Sequence, residues 1–456
     1  MSQITRRDFV GKSVAVAAGY PLGVAAVAAM PAVGRAAAAN EKVVVALIGA
    51  GGRGQDLMRQ MAARPDAACK YVCDADESRG AGFAKEVEKI QGSPAQSVKD
   101  MRKVLDDKGV DAVVVATPEQ WHALATIWAC QAGKDVYVEK CISRKVEEGR
   151  KMVEAAQKYK RVVQAGTQSR TSAYVASARQ YIREGKLGKV FLVKVFFMQP
   201  NLVYGGYPIQ KQPDSGPPPG LDWDLWLGPA PEKPYSPHRH RQWYGYWDYS
   251  GGNLSDAIHS LDVARAAIGD PPHPKAVNCY GGRWQYDDGG EMPDCQSVTY
   301  EFDKLAMTLQ QTGFSKYTAK ESPEVRYGDK FPYWPLDACH VEIYGTEQLM
   351  YLGRHGSGWQ AVVAGGGVVA GQPGRWGDPT AIEDFIDCIR TRREPKANIL
   401  QGHLSACLEH LANIAYRTGN QKLVFDGQTE KFVGNDQANQ QLKAAGRKQY
   451  RIPDEV

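Results

Sequence analysis

Short apolar runs alternate with amphipathic segments between residues 42 and 165. The first run, Val43–Ile48, is continuously apolar, as expected of a strand buried on both faces of a parallel sheet. Similar runs predict further strands at Ala68–Cys73, Val110–Ala116, Val136–Val138 and Val162–Ala165. The segments between them predict helices at Gly52–Arg64, Ser78–Lys89, His122–Ala132 and Glu147–Tyr159. Strands and helices that alternate with short connections indicate an α/β fold with a doubly wound parallel sheet.

The pattern changes after residue 164, where the predicted strands become longer and more aromatic. They lie at Val190–Met198, Ala276–Tyr280, Ser297–Phe302, Ala306–Thr312 and His340–Tyr344. A Pro/Gly/Trp-rich stretch, 199–252, is far longer than an ordinary connection and is typical of a binding site or an interface. We therefore expect two domains, 40–163 and 164–456. The second is expected to be an α+β domain with a large, mostly antiparallel sheet, and its C-terminal helices, 381–418, to pack back near the first domain.

The first 39 residues have the pattern of an export signal. Arg6 and Arg7 precede Phe9, an Ala/Val/Gly stretch follows from Val14, and small residues end the segment. The arginine pair indicates the twin-arginine variety. A membrane anchor is the alternative, but glycines and a proline interrupt the apolar stretch. We expect a mature protein without an anchor, exported by the twin-arginine translocase to the periplasm or beyond.

Composition narrows the class of protein further. The chain has 456 residues, is 43% hydrophobic and 23% charged, and carries a formal net charge of +5, values typical of an ordinary globular protein. Charges of both signs are interspersed, so nucleic acid is not an expected partner. Nine cysteines form no CxxC pair and are expected to be buried thiols rather than disulfides. The pair His238-x-His240 lacks supporting ligands nearby, and we predict no metal site.

A glycine motif follows the first predicted strand and opens the first predicted helix. Its residues are Gly49, Gly51, Gly52, Arg53 and Gly54. Such glycines let the backbone approach a pyrophosphate at a helix N-terminus. Asp74, at the end of the second strand, is placed to accept hydrogen bonds from the adenosine ribose. The sequence predicts a Rossmann domain that binds NAD, because Asp74 would repel the 2′-phosphate of NADP. Arg79 could offset this repulsion, so NADP is the alternative cofactor.

Polar residues follow later strands, at the sheet edge where doubly wound folds bind ligands. The first such loop carries Thr117, Pro118 and His122, and the second carries Glu139 and Lys140. A third candidate is the segment 251–262. If it is helical, Asp256, His259 and Asp262 are expected on one face.

The motifs GAGGRG, ATPEQWHA, VEKC, VQAGTQSR, LDWDLWLGPAP, GGNLSDAIHSLDVAR and EDFIDCI…HLANIAYRTGN occur in that order along nearly the whole chain. In this respect the chain resembles the glucose–fructose oxidoreductase, inositol dehydrogenase and MocA family. The resemblance implies that Lys140 lies beside the nicotinamide and holds a substrate hydroxyl, that His259 accepts its proton, and that Asp256 assists. Two departures are Cys141 in place of the family proline and an Asp256–His259 interval shortened to three residues. The resemblance also implies that the protein forms a homodimer or homotetramer.

Further residues are expected to contact a sugar-like substrate: Gln168, Arg170, Trp243, Tyr246 and Asp262. Aromatic rings suit the C–H faces of a pyranose, although core packing explains such rings equally well. Without the resemblance, a hydrogen-bonded core histidine is the less favoured alternative for His259.

Three functions remain open from the sequence. An exported enzyme must keep its dinucleotide tightly bound and regenerate it in place. One hypothesis is therefore hydride transfer from one sugar or polyol to the dinucleotide and from there to a second carbonyl compound. The second is a glycosidase that oxidises C3 transiently, eliminates at C1 and reduces the ketone again. The third is a sugar-binding protein without activity; the presence of both Lys140 and His259 argues against it.

Overall fold

The computed structural model describes residues 42–199, 208–443 and 446–456. The predicted export signal lies outside these residues. Within the described ranges, no helix is long and apolar enough to cross a membrane.

Six parallel strands form the first sheet, in the order β3-β2-β1-β4-β5-β6. The strands are β1 Val43–Ile48, β2 Ala67–Cys73, β3 Gln96–Val98, β4 Ala112–Val115, β5 Asp135–Val138 and β6 Val163–Ala165. The helices are α1 Gly52–Ala62, α2 Glu77–Gln91, α3 Met101–Asp106, α4 His122–Gln131 and α5 Val146–Lys158. This is the Rossmann strand order, and the predicted doubly wound sheet is confirmed.

Ten strands form the second sheet, in the order β14-β13-β12-β11-β7-β10-β9-β8-β15-β16. They are β7 Val190–Met198, β8 Ala276–Gly282, β9 Cys295–Phe302, β10 Leu305–Thr312, β11 His340–Gly345, β12 Leu349–Gly353, β13 Trp359–Val362, β14 Val368–Gln372, β15 Leu423–Asp426 and β16 Lys431–Phe432. The pair β7–β10 is parallel, and the other ladders of this sheet in the described ranges are antiparallel. The mostly antiparallel second sheet is therefore confirmed.

The remaining helices are α6 Ala173–Arg183, α7 Trp223–Leu227, α8 Pro237–Arg241, α9 Asn253–Ala267, α10 Pro323–Arg326, α11 Asp378–Thr391, α12 Ile399–Arg417 and α13 Asp436–Gln440. The strand β9 shows how the sheet divides its faces: Val298 and Tyr300 are fully buried, whereas Thr299 between them is exposed. The buried face of this sheet packs against α6, α9 and α12. Packing against α6 and α12 therefore fixes α9, and the polar residues on it, against the second sheet.

The C-terminal helices pack against the first sheet. Phe385 of α11 lies edge to face with Tyr137 of β5, with ring centroids 5.7 Å apart. Gln164 of β6 donates a hydrogen bond of 2.8 Å to the carbonyl of Ala381. Since β6 ends at Ala165, the parallel sheet continues slightly past the predicted domain boundary at 163.

Candidate active site

Both domains contribute residues to one large cavity of about 1490 Å³. The glycine motif and Asp74 line one part of it, and Lys140, Asp256 and His259 line another. The predicted residues Thr117, Pro118, His122, Glu139, Gln168 and Trp243 also line it. The fold thus brings the predicted dinucleotide motif and the predicted catalytic residues into a single space.

The glycine motif is shaped by contacts that only glycine permits. Gly49 has a φ of +96°, and a Cβ there would lie 2.6 Å from the backbone nitrogen of Thr117. A Cβ at Gly54 would collide with the carbonyl oxygen of Gly49. By contrast, a Cβ at Gly51 or Gly52 would meet no atom within 4 Å, because both face open space. That space lies at the N-terminus of α1, where a pyrophosphate binds in Rossmann folds, so these residues fit NAD.

Asp74 fixes the turn that follows β1. Its Oδ2 accepts a hydrogen bond of 2.8 Å from the Ala50 N–H, and its Oδ1 accepts one of 2.9 Å from the Asp76 N–H. Burial raises the pKa of Asp74, while Arg79 and the two N–H groups oppose that effect. A carboxylate oxygen can accept more than one hydrogen bond, so both oxygens of Asp74 retain capacity for ribose hydroxyls.

His122 links the two predicted loops of the first domain. Its Nδ1 lies 2.6 Å from the carbonyl oxygen of Cys141, and its Nε2 lies 2.8 Å from that of Thr117. Burial lowers the pKa of His122 to about 4. Both ring nitrogens face backbone carbonyl oxygens, so neither is turned toward a hydroxyl group in the cavity. His122 therefore positions the two loops rather than accepting a substrate proton.

Lys140 bridges the two domains. Its Nζ donates a hydrogen bond of 3.0 Å to Oδ1 of Asp256 in α9, and Nη2 of Arg354 lies 3.1 Å from the same oxygen. The side chains of all three are nearly buried. Burial raises the pKa of Asp256, but Arg354 and Lys140 outweigh this effect and hold the pKa well below its ordinary value. The peptide bond between Lys140 and Cys141 is cis.

His259 lies one turn after Asp256 on α9 and faces the same cavity. Burial is the main cause that lowers its pKa well below the ordinary value, and the positive charges of Arg354 and Lys140 act in the same direction. The imidazole is therefore neutral at neutral pH and can accept a proton.

Comparison with known proteins places this geometry in a family. Residues 43–167 match the Gfo/Idh/MocA oxidoreductase family, NAD-binding Rossmann fold, and residues 175–279 and 372–452 match its C-terminal alpha/beta domain. The chain is 30% identical over 364 residues to scyllo-inositol 2-dehydrogenase (NAD(+)) of Bacillus subtilis, which covers 77% of this chain and 87% of that protein. The chain belongs to the Gfo/Idh/MocA family.

Two further similarities are informative. The chain is 33% identical over 146 residues to a glycosyl hydrolase family 109 protein of Stenotrophomonas maltophilia, which covers 30% of each chain. The crystal structure of aldose-aldose oxidoreductase from Caulobacter crescentus, complexed with glycerol, has a TM-score of 0.62 at 20% identity and covers 84% of this chain and 100% of that one. The structural likeness supports the fold, and the sequence match places the chain among NAD-binding oxidoreductases.

Three residues predicted to contact substrate lie elsewhere in this Gfo/Idh/MocA protein. Arg170 binds Asp262 at 2.8 Å in a buried ion pair, and among the described residues neither borders the cavity. Asp262 was expected beside Asp256, but six residues of an α-helix rotate a side chain by about 120° from the first position. Tyr246 is only 2% exposed and packs in a small core with Tyr249 rather than facing the cavity.

Arg53 and Glu139 line the cavity but also bind each other. Nε of Arg53 donates a hydrogen bond of 2.8 Å to Glu139, and its two terminal nitrogens bind Asp378 at 2.8 Å each. Gln168 donates to the same oxygen of Glu139 at 3.0 Å. This network ties the glycine motif to β5 and to α11, next to Lys140.

Sequence reasoning missed a group of cavity residues from the second sheet and its connections: Arg326, Arg354, His355, Trp376 and Asp378. Tyr244, an aromatic residue of the Pro/Gly/Trp-rich stretch expected to suit a sugar, has its ring centroid 5.7 Å from Nζ of Lys140. For Arg354 no local signal exists, because it is 98 residues from its partner Asp256 and only the folded sheet joins them.

A buried carboxyl pair lies near Lys140. Oγ of Ser255 is 3.0 Å from Oε2 of Glu119 and 3.0 Å from Oε1 of Glu409. Burial raises the pKa of Glu119 to about 7, and burial together with the neighbouring Glu119 raises that of Glu409 to about 8. The pair therefore holds at least one proton at neutral pH.

A second polar cluster lies away from the cavity. His273, His403, Cys407 and Glu430 offer ligand atoms within 4.8 Å of one another. Arg150, however, donates two hydrogen bonds to Glu430, and both histidines lie within 2.8 Å of one of its oxygens. These contacts describe an ion-pair network that holds the β15–β16 hairpin against α5 and α12.

Proposed function

We propose that this protein is an exported dehydrogenase that transfers hydride between a tightly bound NAD and a hydroxyl-bearing carbon of a sugar, polyol or glycoside. One observation carries the proposal. The Lys140–Asp256 pair and His259 line the same cavity as the glycine motif and Asp74. Dinucleotide and substrate would thus meet at residues suited to removing a proton from a hydroxyl group.

The residues divide the work of oxidation between them. Lys140 would hold the hydroxyl oxygen and stabilise the negative charge that develops on it. His259, kept neutral by its surroundings, would accept the hydroxyl proton. NAD, when bound, supplies the carbon that accepts the hydride. Asp256, itself ionised, would position Lys140 through their ion pair.

Asp74 favours NAD over NADP. Its carboxylate is fixed by two backbone N–H groups at the place where a 2′-phosphate would lie, and like charges repel there. Arg79 also lines this part of the cavity and lies 4.0 Å from Asp76, so it offsets the repulsion only partly.

A glycosidase is the second candidate, favoured by the similarity to the glycosyl hydrolase family 109 protein. The same Lys140 and His259 would serve its transient oxidation step. Release of an aglycone without any added carbonyl acceptor, together with deuterium exchange at C2, would identify the glycosidase. Turnover that requires a second carbonyl compound would identify the dehydrogenase.

The direct experiment begins with purified, mature protein. Mass spectrometry of the released nucleotide should identify NAD, and added sugars, polyols or aryl glycosides should be screened by absorbance at 340 nm. Protein that binds NAD but reacts with no member of any panel would overturn the proposal and favour a binding protein.

Export and assembly complete the proposal. Residues 1–39 support export, and replacing Arg6 and Arg7 by Lys should retain the protein inside the cell. The helix-free face of the second sheet carries Tyr280, which is 60% exposed, and the half-buried Leu192 and Phe196. Such a face supports a homodimer or homotetramer, and light scattering that finds a monomer at micromolar concentration would contradict it.

A further inference from the structure

We infer that the substrate carries a negatively charged group, a carboxylate or a phosphate. This inference rests on the proposed function and assigns the chemical class of its substrate. It comes from one wall of the cavity, formed by Lys320, Arg326, Arg354 and Arg375, which we call the cationic wall.

The cationic wall carries positive charges that form no ion pair, although the ionised Glu321 and Asp378 lie close to Arg354 and Arg326. Within the described ranges, Lys320, Arg326 and Arg375 have no carboxylate oxygen within the 4.0 Å of an ion pair. Lys320 and Arg375 are exposed, so their side chains can reach a ligand in the cavity. Arg354 is the one member with such a partner, Asp256, and even its Nε is buried without a hydrogen bond. An anionic ligand would supply the missing charge.

Arg326 is held as a platform rather than left mobile. Its guanidinium lies 4.3 Å from the ring centroid of Trp376, and its backbone oxygen accepts a hydrogen bond of 3.1 Å from the Trp376 N–H. Its Nε is buried and has no partner in the described part of the chain. A stacked guanidinium that lines the cavity is well suited to a planar carboxylate or a phosphate, to which its terminal N–H groups could donate.

Contacts tie this wall to the catalytic residues. Arg354 binds Asp256, which binds Lys140. His355 follows Arg354, and its ring lies 5.0 Å from that of Trp376, on which Arg326 stacks. A chain of contacts therefore runs from Lys140 to Arg326 along the same cavity, so one ligand could reach both. The dinucleotide's own pyrophosphate has a different place, at the open backbone of Gly51 and Gly52.

The test compares matched pairs of substrates on the NAD-loaded protein. D-glucuronate and D-galacturonate are paired with D-glucose and D-galactose, and glucose 6-phosphate tests the other anion. At low salt at least one anionic sugar should have a kcat/KM at least about tenfold above its neutral counterpart, as expected for a charge-assisted hydrogen bond. Added salt should reduce this advantage.

Variants then locate the effect. The double variant Lys320→Gln/Arg375→Gln changes two exposed side chains, and Arg326→Gln is added to it in a triple variant. Both should raise KM for the anionic sugar, the triple variant by about 10- to 100-fold, and should change KM for the neutral sugar and the affinity for NADH far less. Lys316→Gln, at an exposed lysine that is not among the residues lining the cavity, is the matched control.

The outcomes separate the two proposals. Neutral sugars oxidised as well as or better than every anionic one would overturn this inference and leave the dehydrogenase standing. Weaker NADH binding in the variants with an unchanged KM would assign the cationic wall to the dinucleotide and also overturn it. No oxidation of any sugar despite bound NAD would overturn the proposed function itself.

Discussion

Lys140 and Asp256 lie 3.0 Å apart, and this single ion pair joins the end of β5 in the Rossmann domain to α9 in the second domain. Arg354 shares the carboxylate, so the site contains two cations for one anion. Removing the anion therefore has different consequences from removing one cation.

Asp256→Asn should lower the free energy of unfolding by about 3–5 kcal/mol, because it leaves two buried cations side by side. Lys140→Met should cost clearly less stability, since Asp256 keeps Arg354 as its partner. Lys140→Met should nevertheless abolish turnover. Chemical denaturation of both variants measures the difference, and equal losses of stability would contradict this account of the pair.

Gly51→Val should yield a folded protein that purifies without dinucleotide. The new side chain would meet no protein atom near its Cβ but would occupy the place of the pyrophosphate. Gly82→Val, at an exposed glycine of α2 with equally open surroundings, is the matched control and should retain the nucleotide. Retention of NAD by the Gly51 variant would place the pyrophosphate elsewhere.

Asp74→Ala should weaken NAD binding by about 1–3 kcal/mol, the value of a hydrogen bond to a charged group. NADP should lose less, because the variant also removes the repulsion of the 2′-phosphate. Fluorescence titration with both reduced nucleotides measures the change, with Glu88→Ala on α2 as the control. An equal loss for the two nucleotides would remove Asp74 as the selectivity residue.

Stability should fall as pH rises because of the Glu119–Glu409 pair. The pKa of each is raised in the folded state, to about 7 and about 8, so its contribution is complete below the unfolded value of about 4.3 and is lost as pH rises through the folded values. Glu409→Gln removes one of the two titrating groups that make the free energy of unfolding depend on pH. Between pH 5 and pH 8 the variant should lose about 1–3 kcal/mol less stability than the wild type. Parallel pH dependence of the two proteins would contradict the raised pKa values.

The alternation of apolar strands and helices was sufficient to predict the first sheet, since parallel strands are buried along their whole length. The short edge strand Gln96–Val98 was not predicted, because three residues are too few to show a periodic pattern of apolar positions. Lys140, just after β5, and His259, in the segment that forms α9, could be predicted because the family resemblance marks both positions. The cationic wall could not, because Arg326, Arg354 and Arg375 are brought together only by the folding of the second sheet and its connections.

Transfer of deuterium from substrate to nucleotide tests the central claim most directly. The NAD-loaded protein is incubated with an oxidisable sugar labelled with deuterium on its ring carbons, and the released nucleotide is weighed by mass spectrometry. The nucleotide should gain one deuterium, and His259→Ala should slow the gain by about two to four powers of ten while NAD stays bound. In the wild type the rate should rise with pH only well below the ordinary pKa of histidine, because His259 must lose its proton first and its pKa is lowered. A sugar that is consumed without any deuterium in the nucleotide, or a His259→Ala protein that transfers it at the wild-type rate, would contradict the account.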